Sequence, residues 1–486
     1  MGDLQWTHRN HFTFPKKALQ LHTTILGTSG SGKTETILRL CYGARKAYGL
    51  QVIYLDAKGD SKREEEQAED NAARFVATMT TAGATNVKVF PSLYLNGWLG
   101  DVTALKNRLL SVIDLSESPY YGDVAANAVD LALTAPTTPR SSHHFLANLR
   151  LDRLKAIYKD DPRQYQRVLQ LDKDLLQQVE MRYQVFFRAV RGTLDGTLDY
   201  GDADAVYLRV QGFVLRNEAP RLGRFLVSDF MHYIAERRRT GTETLFVIDE
   251  FGALRMREET SILFEQVRSF GGCLVIAAQG YSALGPPEHA RRILDSCSTY
   301  VLHACSDPLP IIERAGKKLR LDTSWSEDEE GIPKRHIRPK WDWKVPINAV
   351  LQQEVGQAFW IYRGRAQQAQ TAQVRLSEVQ IREGWREIRR MEEIQRTLLE
   401  VEAHRREAER VQKPQQSGAN SKTDERKTAR PATPKSDSRG KKTKTVKATA
   451  EQPPRVPTIS SDSPSQTAAT PNVLPDPIDD DEPDRL

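Results

Sequence analysis

Eight consecutive residues, Gly27-Thr28-Ser29-Gly30-Ser31-Gly32-Lys33-Thr34, have the types and spacing of a loop that holds phosphates. Glycines let successive backbone N–H groups turn inward around an anion, at the positive end of the following helix. In such a loop the lysine, here Lys33, reaches the β and γ phosphates of a nucleoside triphosphate. The Thr34 hydroxyl holds Mg2+. The flanking sequence agrees. The apolar run Thr23 to Leu26 precedes the loop, and Ile37, Leu38, Leu40 and Cys41 follow it at helical spacing. The chemistry this predicts is binding and hydrolysis of a nucleotide, with ATP and Mg2+ as cofactors.

A second apolar run, Leu245 to Ile248, ends in Asp249-Glu250. A strand there delivers two carboxylates to the carboxyl edge of a sheet, where open α/β sheets bind ligands. Asp249 then holds the magnesium shell through water. Glu250 is the candidate base that orients and activates the attacking water. Gln279 follows the run Leu274 to Ala278. It either senses the γ-phosphate or simply closes the strand at the surface. Phosphoryl transfer also needs positive charge beside the transferring group, often an arginine from a neighbouring subunit. Arg268 is the first choice, with Arg291 and Arg292 as alternatives; each also suits a solvated surface.

These groups need a scaffold. Thr23 to Leu26, Val52 to Leu55, Val87 to Phe90, Leu245 to Ile248, Leu274 to Ala278 and Thr299 to Leu302 are short apolar runs bounded by turn signals. Such runs, separated by helical patterns, predict an α/β fold with a mostly parallel sheet covered on both faces. Between residues 101 and 239 the character changes. Leu105, Leu109, Val112 and Ile113 recur at helical spacing, as do Leu169, Leu175, Leu176 and Val179. This predicts an inserted all-α domain over 101–239, between sheet segments 1–100 and 240–375. One charged helix is expected over 376–412. Its narrow seam (Ile381, Trp385, Ile388, Met391, Ile394, Leu398 and Val401) packs on the body or pairs with another helix. Residues 413–486 contain no aromatic side chain and read as a disordered tail, basic to Lys447 and acidic over Asp476–Asp484. The tail is a solvated segment or a tether with an acidic docking tip.

Composition bounds the rest. A length of 486 residues exceeds one ordinary domain, and 39% hydrophobic content is low for it. The net charge of +6 suits nucleic acid or a plain solvated surface. Four cysteines lie far apart without a CxxC pair, which argues against a disulfide frame or zinc site. His143-His144 reads as part of a solvated loop. There is no signal core and no apolar window of about 18 residues. The expected location is the cytoplasm, with any inner-membrane association made through partners.

The motifs in order are GTSGSGKT, LDAKGD, a helical stretch, LFVIDEFGAL and VRSFGGCLVIAAQG. They resemble the additional-strand RecA-like motor ATPases that include FtsK and HerA. Within that group, Asp249-Glu250-Phe251-Gly252 is most similar to the type IV coupling proteins of conjugation, the TraG/TraD kind. ILDSCSTYVLHACSDP (293–308) and GQAFWIY (356–362) look like the closing strands, so the resemblance spans about residues 12–375. It implies a RecA-like P-loop NTPase, a homo-hexameric ring, and a DNA-stimulated ATPase. Such a motor delivers a DNA–relaxase complex to a membrane secretion channel. By resemblance, Lys33 and Thr34 are nucleotide and magnesium contacts, Asp249 and Glu250 the metal and water-activating carboxylates, Gln279 the sensor, and Arg268 the trans-acting arginine. Asp56 and Asp60 match acidic positions without a catalytic step. Tyr281–Arg292 is a candidate pore segment.

Coupling proteins usually begin with transmembrane helices. This chain has about two dozen residues before the phosphate loop, and none span a membrane. The anchor is then a separate protein, or the motor serves another process. The acidic tip is similar in character to extensions that recruit the DNA-processing complex. Two other readings use the same residues. One is a protein-secretion or pilus-assembly ATPase; the other is a scaffold that nucleotide binding switches.

Overall fold

The computed structural model describes residues 6–7, 11–12, 14–59, 69–113, 118–237, 243–256, 260–327 and 333–412. Asp60 and the tail 413–486, with its acidic tip, lie outside the described residues.

Nine strands form the central sheet. In chain order they are β1 (Thr23–Leu26), β2 (Gln51–Asp56), β3 (Val87–Phe90), β4 (Ala205–Arg209), β5 (Thr244–Asp249), β6 (Gly272–Ala278), β7 (Thr299–Leu302), β8 (Gln357–Tyr362) and β9 (Arg365–Gln370). Their order across the sheet is β9-β8-β7-β1-β6-β5-β2-β4-β3. Strands β1 to β7 pair in parallel, whereas β8 is antiparallel to both β7 and β9.

Successive side chains of a strand point to opposite faces, so the strands feed two cores. Ile25, Val52, Tyr54, Val247 and Val275 pack with residues of the helices Lys33–Tyr48 and Asn71–Thr81. Leu26, Ile53, Leu55, Ile248 and Ile276 share the other core with the helices of the long segment after β3. Burial on both faces is why these strands are mostly apolar rather than alternating. The expected α/β class and mostly parallel sheet are borne out.

Local signals start the helices. Asp70 accepts from the N–H groups of Ala72 and Ala73, and Asp101 from Ala104 N. Ser118 caps a helix that opens with Pro119, where the missing N–H costs nothing.

The segment 101–239 is not helical throughout. It holds the helices from Val102 to Val190, but Ala205–Arg209 is strand β4, inserted between β2 and β3. The run Ala205–Leu208 is wholly buried and apolar, and so short a run does not by itself distinguish a strand from a buried helical segment. The helix Ala219–Arg237 then leads back toward β5. His143 and His144 lie in the helix Ser142–Leu149, capped by Ser141, rather than in a loop. A long antiparallel hairpin, Lys317–Glu327 with Pro333–Trp343, stands outside the sheet. One of its faces exposes Leu319, Leu321, Trp325, Ile337 and Trp341.

The helix Glu378–Gln412 buries Ile388 and Met391 in the core beside the helix Asn71–Thr81. Ile394, Leu398 and Val401 of the same seam are exposed. All four cysteines are buried and unbridged. Among the described residues no helix is long and apolar enough to cross a membrane, and no cluster of three or more His, Cys, Asp or Glu side chains is placed to hold a metal by itself.

One buried ion pair ties the layer after β3 together. Arg108 is fully buried; its Nη1 donates to Asp229 Oδ1 at 2.5 Å and to Gly97 O at 3.0 Å, and its Nη2 donates to Leu99 O. Removing the cation strands a buried carboxylate, which costs about 3–5 kcal/mol. Arg108→Ala is therefore expected to move the urea unfolding transition by that amount. Lys106→Ala breaks a more exposed pair with Asp130 and should cost under ~1 kcal/mol.

Candidate nucleotide site

The phosphate loop leaves β1 and enters the helix Lys33–Tyr48 at the carboxyl edge of the sheet. Gly30 and Gly32 have φ of 79° and 99°, the left-handed region that only glycine enters freely. A Cβ on Gly32 would lie 2.7 Å from the backbone nitrogen of Gly356. Gly356 N also donates to Ser31 O at 2.9 Å, and Thr28 N to Ala304 O at 2.8 Å. The loop is thus braced by the segments around β7 and β8. Lys33 Nζ donates to Gly27 O at 2.6 Å and Thr28 O at 3.0 Å. Burial lowers the Lys33 pKa, and the nearby Glu250 and Asp249 oppose that shift. Thr34 is half-buried in the first helical turn.

The acidic strand end has a supporting row. Arg209, Asp56 and Asp249 stand at one register on β4, β2 and β5. Tyr54 OH donates to Asp249 Oδ2 at 2.8 Å, and Tyr207 OH donates to Asp56 Oδ2 at 2.5 Å. The two rings stack at 5.0 Å. Arg209 donates to Asp70 Oδ1 at 2.6 Å. Burial, then the charges of Asp56 and Glu250, raise the Asp249 pKa to about 6; Tyr54 and Lys33 oppose the rise. Burial also raises Asp56, against the hydrogen bond from Tyr207.

Glu250 turns the chain with φ of 55°. Its Oε1 accepts from Gln279 Nε2 at 3.1 Å, and its Oε2 lies 3.2 Å from Lys58 Nζ. The same Gln279 nitrogen is 3.4 Å from Ser29 Oγ in the phosphate loop. Gln279 therefore bridges the loop and the carboxylate, which is the position a γ-phosphate sensor needs. Sequence reasoning passed over Lys58, although it sits in LDAKGD directly after β2.

His303 is a second residue that the sequence did not flag. It follows β7, is fully buried, and a Cβ on Gly27 would lie 2.6 Å from its Cβ. Its Nε2 is 3.1 Å from Thr36 Oγ1, which is 2.8 Å from Thr371 Oγ1. Burial, reinforced by the charge of Lys33 and opposed by backbone hydrogen bonds, lowers its pKa to about 4. The ring is therefore neutral near pH 7. The available signal was a polar residue ending the apolar run Thr299 to Leu302.

Arg268 is not brought to this site. It is exposed at the end of the helix Thr260–Ser269, just before β6 begins. It lies near His22, which precedes β1. The seven residues of β6 separate that edge from Gln279, about 23 Å at ~3.3 Å per residue. Arg291 and Arg292 are exposed on the helix Pro287–Ser296.

A nine-stranded, mostly parallel sheet with a glycine phosphate loop after a central strand defines a RecA-like P-loop NTPase fold. Among the solved structures it resembles are those of TrwB. TrwB in complex with ADP and Mg2+ matches with a TM-score of 0.55 at 12% identity, over 78% of this chain and 91% of that one. The unbound bacterial conjugative coupling protein TrwBdeltaN70 gives 0.54 at 12% identity, over 75% and 88%. TrwB with the ATP analogue ADPNP gives 0.54 at 12% identity, over 75% and 88%. At this identity the likeness is one of fold, and at that level the resemblance to coupling proteins is borne out. No family model matches the chain, and no curated protein matches it in sequence.

Proposed function

We propose that this chain is an ATP-hydrolysing motor that binds and translocates DNA, in the manner of a conjugative coupling ATPase. The observation that carries the reading is the Ser29–Gln279–Glu250 connection on a TrwB-like fold.

Entering phosphates displace Lys33 Nζ from the loop carbonyls, and its donors turn to phosphate oxygens. Glu250 accepts the proton of a water that attacks the γ-phosphorus in line. Gln279, hydrogen-bonded to Glu250, reports whether the γ-phosphate is present. TrwB is known with ADP and Mg2+, and the residues here fit that cation. Thr34 and Asp249 are hard oxygen donors, and the buried Ser31 hydroxyl has no hydrogen-bond partner among the described residues. Bound Mg2+ neutralises charge on the phosphates.

The raised Asp249 pKa sets a pH dependence. A carboxyl raised in the folded state stabilises the empty protein at low pH, and that contribution is lost as pH rises through about 6. Cation binding needs the ionised form. Affinity for Mg2+–ATP is therefore expected to fall below about pH 6, while affinity for ATP in chelator changes less. Calorimetric titration on both sides of that pH checks it.

The motor is a homo-hexamer in this reading, with Arg268 serving a neighbour's nucleotide because it cannot reach its own. The acidic residues Asp476–Asp484 recruit relaxase and other DNA-processing proteins. The ring meets the membrane channel through partners. An ATPase assay with and without DNA tests the proposal: the rate should rise with DNA, and a rate indifferent to both duplex and single strands contradicts it.

A further inference from the structure

A cavity of about 650 Å³ opens beside Glu250 and shares Glu250 and Gln279 with the nucleotide site. No residue of the phosphate loop lines it. Among the described residues its charged lining is three cations, Lys58, Arg216 and Arg255, against the carboxylate of Glu250. Of the three, only Lys58 has a carboxylate partner among the described residues. Arg216 and Arg255 both have φ of 47° and Glu250 has 55°. Three lining side chains thus project from a backbone conformation that costs L-residues energy and that concentrates at functional sites.

The contents of such a cavity follow from its charge. It favours an anion, and its volume suits something larger than a lone ion. Arginine and lysine side chains grip nucleic-acid phosphates without regard to sequence. Lys58 is half-exposed and Glu250 mostly buried, so an incoming phosphate reaches Lys58 first.

We propose that this cavity takes phosphates of the DNA backbone, and that they draw Lys58 away from Glu250. DNA binding would thereby release the catalytic carboxylate. The inference rests on the motor reading above. In the structure both Glu250 oxygens are engaged, one by Gln279 and the other by Lys58. A carboxylate held that way is a poor acceptor for the proton of water. With Lys58 on a phosphate, Oε2 takes that proton as the water oxygen bonds to the γ-phosphorus. The bond from phosphorus to the β–γ bridging oxygen breaks, and its electron pair leaves on ADP. Lys58 is a positioning residue in this scheme, and a positioning residue that restrains has an unusual signature. Its loss speeds the reaction.

The test is ATP turnover by the full chain, without DNA and across a duplex DNA titration. Lys58→Ala, and Lys58→Met with its longer stem, are expected to raise the DNA-free rate several-fold toward the DNA-saturated wild-type rate. Lys58→Arg, which keeps a cation beside Glu250, restores the low rate. The double variant Arg216→Ala/Arg255→Ala is expected to need about tenfold more DNA for half-maximal stimulation. The proposal is overturned if the alanine and methionine variants stay at or below the wild-type DNA-free rate, or if the double variant keeps the wild-type DNA dependence. A wild-type rate that DNA leaves unchanged is a different failure, that of the motor reading. It is seen in the same assay without any variant.

Discussion

Glu250→Gln is expected to stop ATP turnover while leaving ATP bound. The substitution keeps the side chain's size and its place beside Gln279. It removes the carboxylate proposed above to accept the water proton. Loss of a positioned general base costs about 10²–10⁴ in rate. Binding depends on other residues, chiefly Lys33 and the loop N–H groups. Phosphate release measured beside fluorescent-nucleotide binding separates the two effects. Turnover near the wild-type rate would place the base elsewhere. Loss of binding would mean that Glu250 holds the site together rather than running it. The same variant discriminates the scaffold reading, because a scaffold keeps its biological activity when hydrolysis alone is lost.

Lys33→Ala is expected to lose both affinity and turnover, with kcat lower by about 10²–10³ for one pre-placed electrostatic donor. The empty protein should fold normally. In it Lys33 donates only to the carbonyls of Gly27 and Thr28, bonds worth about 1 kcal/mol each. The lost cation has a second consequence. Lys33 opposes the upward shift of Asp249, so its removal favours protonated Asp249 and weakens Mg2+ binding further. Nucleotide titration in Mg2+ and in chelator, with melting of the empty variant, measures all three effects.

The parts of the fold that could be read from sequence are those whose signal is local. The phosphate loop is eight contiguous residues with fixed spacing. Strands β1, β2, β5, β6 and β7 are mostly apolar runs because both of their faces are buried, whereas β3, at the sheet edge, is only part-buried at Val87 and Lys88. Glu250 and Gln279 were found because each closes such a run. What was missed depends on relations across the chain. Strand β4 is Ala205-Val206-Tyr207-Leu208-Arg209, whose Arg209 meets Asp56 only through the sheet register. Lys58 becomes informative only when β2 and β5 lie side by side. The His303–Thr36–Thr371 chain joins residues hundreds of positions apart. The hairpin is a different kind of miss. Leu319, Leu321, Thr323 and Trp325 alternate with polar residues, which is a period-2 strand signal visible in the sequence.

The Arg268 assignment shows the limit of motif order. Its place between the acidic pair and Gln279 in sequence puts it at the far end of β6 in space. A residue there is out of reach of its own chain's phosphate loop, so the trans role proposed for it needs a neighbouring subunit. Mixing Arg268→Ala with Lys33→Ala subunits reads that directly, since a trans-acting arginine lets mixed rings recover some activity.

A motor of the proposed kind moves along DNA as it hydrolyses ATP. Displacement of a triplex-forming strand from duplex DNA measures it most directly. The wild-type chain in Mg2+–ATP is expected to displace the strand, and Glu250→Gln, or the wild type with a non-hydrolysable ATP analogue, to displace none. Brisk ATP hydrolysis on the same duplex with no strand displaced would contradict it.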